Sequence, residues 1–123
     1  MKYDLEPRLI DFSVQIIKAV GELPSDRACN HLASPLVRSG TAPALLYGEA
    51  LGAESRKDFI HKMRIGLKEL RETFINLKII KAAGFRNDEI FEKLLIENNE
   101  LISIFNKSVQ TAMKNLMKER NEC

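Results

Sequence analysis

Apolar residues along this chain recur at steps of three and four, and nowhere do β-branched residues alternate with polar ones for long. A period near 3.6 marks helices that bury one face, whereas a strand needs a period of two. The first stretch predicts a helix from about Leu5 to Val20. Leu9, Phe12, Ile16 and Val20 form its face, widened by Ile10, Val14 and Ile17. Asp4 is placed to cap it, Pro7 falls in the first turn where a missing N–H costs little, and Gly21 and Pro24 close it. The second stretch begins near Ser25-Asp26 and ends around Leu51-Gly52, with Pro35 and Pro43 inside. An interior proline costs roughly 3 kcal/mol, so this helix is expected to be broken or kinked there. Ser34-Pro35 offers a cap and a first-turn proline for a restart.

The third stretch runs from about Ser55 to Ala83, with Ile60, Met63, Leu67, Leu70, Phe74 and Leu77 as its seam and Gly84 as its stop. The fourth starts after Asn87, where Asp88 and Glu89 suit the positive end of the helix dipole, and reaches about Glu119. Its seam is Phe91, Leu95, Asn98, Ile102, Phe105, Val109, Ala112 and Leu116. Asn98 is the polar member, read either as a register-fixing residue or as a partly exposed position. Long helices on short turns pack antiparallel. The expectation is therefore an all-α, up-down-up-down four-helix bundle, kinked near Pro35 and Pro43, forming a single domain over 1–123 with a frayed tail over about 119–123.

Composition adds few constraints. With 19 basic and 17 acidic residues the net charge is +2, which leaves room for a local basic patch without demanding a nucleic-acid partner. Cys29 and Cys123 form no CxxC pair, and Cys123 is terminal; a structural disulfide is not expected, which fits a reducing cytoplasm. Met1-Lys2-Tyr3-Asp4 lacks the apolar core of a signal peptide. No run approaches the ~18 apolar residues of a membrane span.

Catalytic and metal constellations are missing from the pattern. A di-iron bundle needs two inward carboxylate-x-x-His pairs; His31 and His61 supply only Asp58-x-x-His61, off the core stripe. Glu69 and Glu72 read as surface carboxylates pairing with Lys68 or Arg71. Cys29 and His31, two apart on a helix, face different ways. No phosphate-binding glycine motif occurs, and Gly48 and Gly52 read as close packing or a turn. No catalytic residue, cofactor or metal is expected.

Two surface features remain. Lys57, His61, Arg64, Lys68, Arg71 and Lys78 form a basic stripe on the third helix. It is either a solvated flank balanced by Asp58, Glu69 and Glu72 or a face for RNA or DNA. No aromatic residue interrupts the stripe to stack bases. Ile65 and Ile79 on the third helix and Ile96 on the fourth project away from the core, as subunit-interface candidates.

Arg38-Ser39-Gly40-Thr41-Ala42-Pro43-Ala44-Leu45-Leu46-Tyr47-Gly48-Glu49-Ala50 looks like a family signature. So do Glu54-Ser55-Arg56-Lys57-Asp58-Phe59-Ile60-His61-Lys62-Met63 and Leu67-Lys68-Glu69-Leu70-Arg71-Glu72-Thr73. Together they resemble the four helix bundle proteins, also called 23S rRNA-intervening-sequence proteins. Pro35, Pro43, Leu45 and Leu46 depart from that pattern. The resemblance implies a bacterial four-helix bundle that assembles as a homopentamer and has no enzymatic activity. It also implies kinship with the accessory proteins of diversity-generating retroelements, which bind a reverse transcriptase and nucleic acid. The leading expectation is a cytoplasmic, non-enzymatic homo-oligomer that binds RNA or DNA. Its rival is a protein scaffold or accessory subunit for a partner such as a reverse transcriptase.

Overall fold

The computed structural model describes residues 4–121. Four helices follow one another: α1 (Leu5–Gly21), α2 (Arg27–Leu51), α3 (Arg56–Ala82) and α4 (Glu89–Asn121). No strand occurs among the described residues. Each helix starts on a side-chain cap that satisfies an otherwise orphaned N–H. Asp4 accepts from the Glu6 N–H at 3.2 Å and Asp26 from the Cys29 N–H at 2.8 Å. Ser55 accepts from the Asp58 N–H at 3.0 Å and Asp88 from the Phe91 N–H at 3.1 Å. α3 stops at Ala83-Gly84. Gly84 adopts φ +81°, and the Phe85 N–H reaches back to the Ile80 carbonyl at 3.1 Å, a left-handed cap that glycine adopts without strain.

α2 runs unbroken through Pro35 and Pro43, so the restart at Ser34-Pro35 does not occur. Packing carries what the prolines cost. Pro43 is buried, and α2 packs along both α1 and α3. At the other terminus α4 is helical to Asn121, and Glu119 holds Arg56 at 2.7 Å; the last two residues of the expected tail lie outside the described residues. Cys123 and the chain start at Met1, read above for disulfide and signal-peptide potential, lie outside the described residues.

The helices pack in chain order, α1 on α2, α2 on α3, α3 on α4 and α4 back on α1, while the backbones of the diagonal pairs stay apart and Tyr47 of α2 reaches Phe105 of α4 only across the core. Contacts between α2 and α3 run Glu49 to Lys62, Ser39 to Thr73 and Leu32 to Asn76. Between α3 and α4 they run Arg56 to Glu119 and Lys81 to Glu92. In both pairs one number rises as the other falls, so these helices run antiparallel.

The core takes Leu9, Phe12 and Ile16 of α1, Met63, Leu70 and Leu77 of α3 and Phe91 and Phe105 of α4 from the expected seams, and adds Leu101 of α4 and Leu36 of α2, which those seams did not include; Ile102, expected in the α4 seam, is half-buried. Phe74 is only half-buried. Two glycines let helices close up. A Cβ at Gly66 would stand 2.6 Å from the Phe105 ring, and one at Gly40 would stand 2.8 Å from Ile16. Gly52 caps α2, whereas a Cβ at Gly48 would meet nothing within 4 Å. Asn98 is fully buried and donates to the Leu70 carbonyl at 3.0 Å, tying α4 to α3 at one register.

Candidate nucleic-acid interface

Antiparallel pairing sets the first half of α3 beside the second half of α4. Residues 56–71 and 101–121 together carry ten lysines and arginines against three acids, a local charge of +7 in a chain whose total is +2. The rest of the chain carries −5. The stripe on α3 is therefore half of a larger feature. Lys107, Lys114, Lys118 and Arg120 form its α4 counterpart, all exposed. A scan for stripes one helix at a time misses them; summing charge over helix halves that an antiparallel turn brings together finds them.

All five candidates on α3, Lys57, Arg64, Lys68, Arg71 and Lys78, are exposed, as is His61. Arg64 rests on the Met113 sulfur at 2.9 Å, across the α3–α4 seam. Lys78 lies over the Phe74 ring, 5.0 Å from its centroid, further along the helix. Lys57, Lys68 and Arg71 enter no ion pair among the described residues, nor do Lys107, Lys114 and Lys118. The expected balance by Glu69 and Glu72 is not what the structure holds. Both carboxylates turn to α2, where Arg38 reaches Glu69 at 2.9 Å and also bonds Glu72. Those hydrogen bonds, Glu69 first, hold the Arg38 guanidinium even more firmly protonated. Lys62 is raised in the same sense by its hydrogen bond to Glu49. The α2 flank thus absorbs the acids and leaves the outer ridge of α3 uncompensated.

The interface candidates separate. Ile79 and Ile96 are exposed, at 48% and 59%, while Ile65 is half-buried. Ile79 borders an apolar groove of about 440 Å³ between α2 and α3, shared with Leu32 and Ile75. Ile96 borders one of about 500 Å³ between α3 and α4, shared with Phe74 and Leu95. Ile10, Val14 and Ile17, the residues that widened the α1 face, are also exposed.

The remaining chemistry stays quiet. Among the described residues no three or more His, Cys, Asp and Glu side chains gather as a metal site. Cys29 is a buried free thiol; burial, with Asp26 adding to it, pushes its pKa up and away from thiolate character. His31 is exposed on another side of α2. No helix among the described residues is long and apolar enough to cross a membrane.

Comparison with known proteins places this arrangement. A crystal structure of a protein of unknown function from the S23 ribosomal protein family of Bacteroides thetaiotaomicron superposes with a TM-score of 0.78 at 24% identity, covering 86% of this chain and 98% of that one. At that identity the likeness establishes the fold. No curated protein matches the chain. The model of the 23S rRNA-intervening sequence proteins matches residues 4–107, and the chain belongs to that family.

Proposed function

We propose that this chain is a non-enzymatic, homo-oligomeric nucleic-acid-binding protein of the cytoplasm, its ligand held on the basic face of α3 and α4. The observation that carries the reading is the +7 charge gathered on this face, on side chains that are mostly exposed and mostly outside any ion pair among the described residues. A cluster of that size attracts phosphates and releases their counterions despite a small total charge. The family name points to ribosomal RNA genes and supports RNA as the ligand. In the homopentamer that the family resemblance implies, the face is repeated around the axis and its field is multiplied. Exposed Ile79 and Ile96, with the apolar outer face of α1, support the assembly.

Replacing Arg64, Lys68 and Arg71 together by glutamine tests this reading. Filter binding to a short RNA should weaken, and the salt slope should become shallower by up to about three, while light scattering shows the oligomer intact. Dissociation of the oligomer, or unchanged binding, would overturn it.

A second reading, a scaffold or accessory subunit for a protein such as a reverse transcriptase, draws support from the two apolar grooves that flank α3. It is favoured if the triple variant keeps its RNA affinity while substitutions beside Phe74 and Ile75 abolish capture of a protein partner.

A further inference from the structure

α4 spans 33 residues and α1 only 17, about 50 Å against 25 Å. The strip of α4 that faces α1 can be followed residue by residue at alternating steps of four and three: Ile90, Leu94, Glu97, Leu101, Ile104, Ser108, Thr111 and Asn115. Its first half meets α1, where Arg8 holds Glu97 at 2.7 Å and bonds Glu100. Where α1 runs out, the strip turns from apolar to polar. A groove of about 660 Å³ opens there, lined by Ile104, Lys107, Ser108, Thr111 and Asn115 of α4 and by Arg56 and Phe59 of α3, with no residue of α1. Phe59 continues the buried stripe of Met63, Gly66 and Leu70, yet it is half-exposed, because the fourth helix that would cover it is missing at this level.

We propose that this groove takes one unpaired nucleotide of a bound nucleic-acid strand. The inference rests on the nucleic-acid reading above and adds to it a site for a single base. Charge complementarity and size select the occupant. Lys107 belongs to the basic face and to the groove wall at once, so a strand lying along α4 passes directly from one to the other. The volume falls within the range of small-ligand sites. A half-exposed ring offers a stacking platform that every base can use. Ser108, Thr111 and Asn115 offer hydroxyl and amide groups to a base edge or sugar, while Lys107 and Arg56 face the phosphate. Arg56 now rests on Glu119 at 2.7 Å, a carboxylate standing where a phosphate oxygen would bind. The basic stripe on α3 holds no aromatic residue of its own; the fold supplies one from the core seam of the same helix.

The test compares a decauridylate with a blunt ten-base-pair RNA duplex. Phe59→Leu should weaken decauridylate binding about tenfold, leave duplex binding within about twofold and leave both salt slopes unchanged, since no charge is removed. Equal losses on both probes, or none on either, would overturn the groove and leave the basic face standing. If the wild-type protein binds neither probe, the nucleic-acid reading falls and this inference falls with it. Should Phe59→Leu fail to fold, as judged by a urea melt, Ser108→Ala with Thr111→Val keeps the question open to decision. It should cost decauridylate affinity about threefold and spare the duplex, and equal losses on both probes, or no loss, again overturn the groove.

Discussion

The two ends of this bundle solve the same electrostatic problem in opposite ways. At the end that carries the α1–α2 and α3–α4 turns, four helices are present and ion pairs tie the turns together. Arg86 lies 2.6 Å from Glu22 and 3.0 Å from Asp88, and Lys81 holds Glu92 at 2.8 Å. At the other end three helices remain and the acids are few; Arg56 and Lys62 are paired, but Lys57, Lys68, Arg71, Lys107, Lys114 and Lys118 enter no ion pair among the described residues. Charges that are matched inside a chain help to fix a turn and have little left for a ligand. Charges left unmatched cost some self-repulsion and keep their field for a partner. On the function proposed above, the closed end serves the fold and the open end serves binding.

If the open end were loose in its core and not merely open on its flank, this contrast would collapse. Phe105 decides it, because it lies under the open end, fully buried, with its ring against Gly66 and 6.5 Å from Tyr47. Phe105→Ala should cost about 3–5 kcal/mol in urea unfolding. A loss below about 1 kcal/mol would show a core that does not extend beneath the basic face.

A smaller effect should separate the two ends directly. The Arg86 side chain is 10% exposed, with its guanidinium 5.8 Å from the centre of the Phe91 ring. Arg86→Met keeps much of the packing and removes both ion pairs. It should cost about 1–2 kcal/mol, the exposure of Glu22 and Asp88 limiting the loss. Lys68→Met at the open end should leave the urea midpoint nearly unmoved. Similar losses at both positions would mean that the ends are not electrostatically distinct.

How much of this was legible in the sequence depends on whether the information is local. Asp4, Asp26, Ser55, Asp88 and Gly84 announce helix ends through chemistry that acts within a few residues, and the observed termini fall at or beside them. The break expected at Ser34-Pro35 does not occur because the cost of a proline is local while its compensation, the packing of α2 between α1 and α3, is not. Glu69 and Glu72 were matched to neighbours on their own helix, yet their partner Arg38 is more than thirty residues away. The α4 half of the basic face was invisible for the same reason. Its lysines are spaced widely along their helix and become a cluster only when an antiparallel neighbour is laid beside them. The groove at Phe59 needed still more, the relative lengths and offset of α1 and α4.

The finest distinction between the ends lies in pH. At the closed end Asp88 accepts hydrogen bonds from Arg86 and from the Phe91 N–H, and these, Arg86 foremost, hold its carboxyl below the ordinary 3.8. A carboxyl whose native pKa lies below its unfolded value gives stability that is complete above the unfolded value and is lost as pH falls through the native one. Acid should therefore loosen the closed end. Asp88→Asn retains a capping side chain but cannot titrate. Its urea midpoint should lie slightly below that of the wild-type protein at pH 6, and the gap should close as pH falls below 3.8 and Asp88 loses its charge. In an Arg86→Met background most of that pH-dependent gap should disappear, because the guanidinium is the main cause of the lowered carboxyl. A gap that stays constant with pH would trace the loss to cap geometry and not to charge. A gap that persists undiminished without Arg86 would transfer the credit to the helix N-terminus, and the closed end would then owe its stability to the backbone of α4 more than to matched side chains.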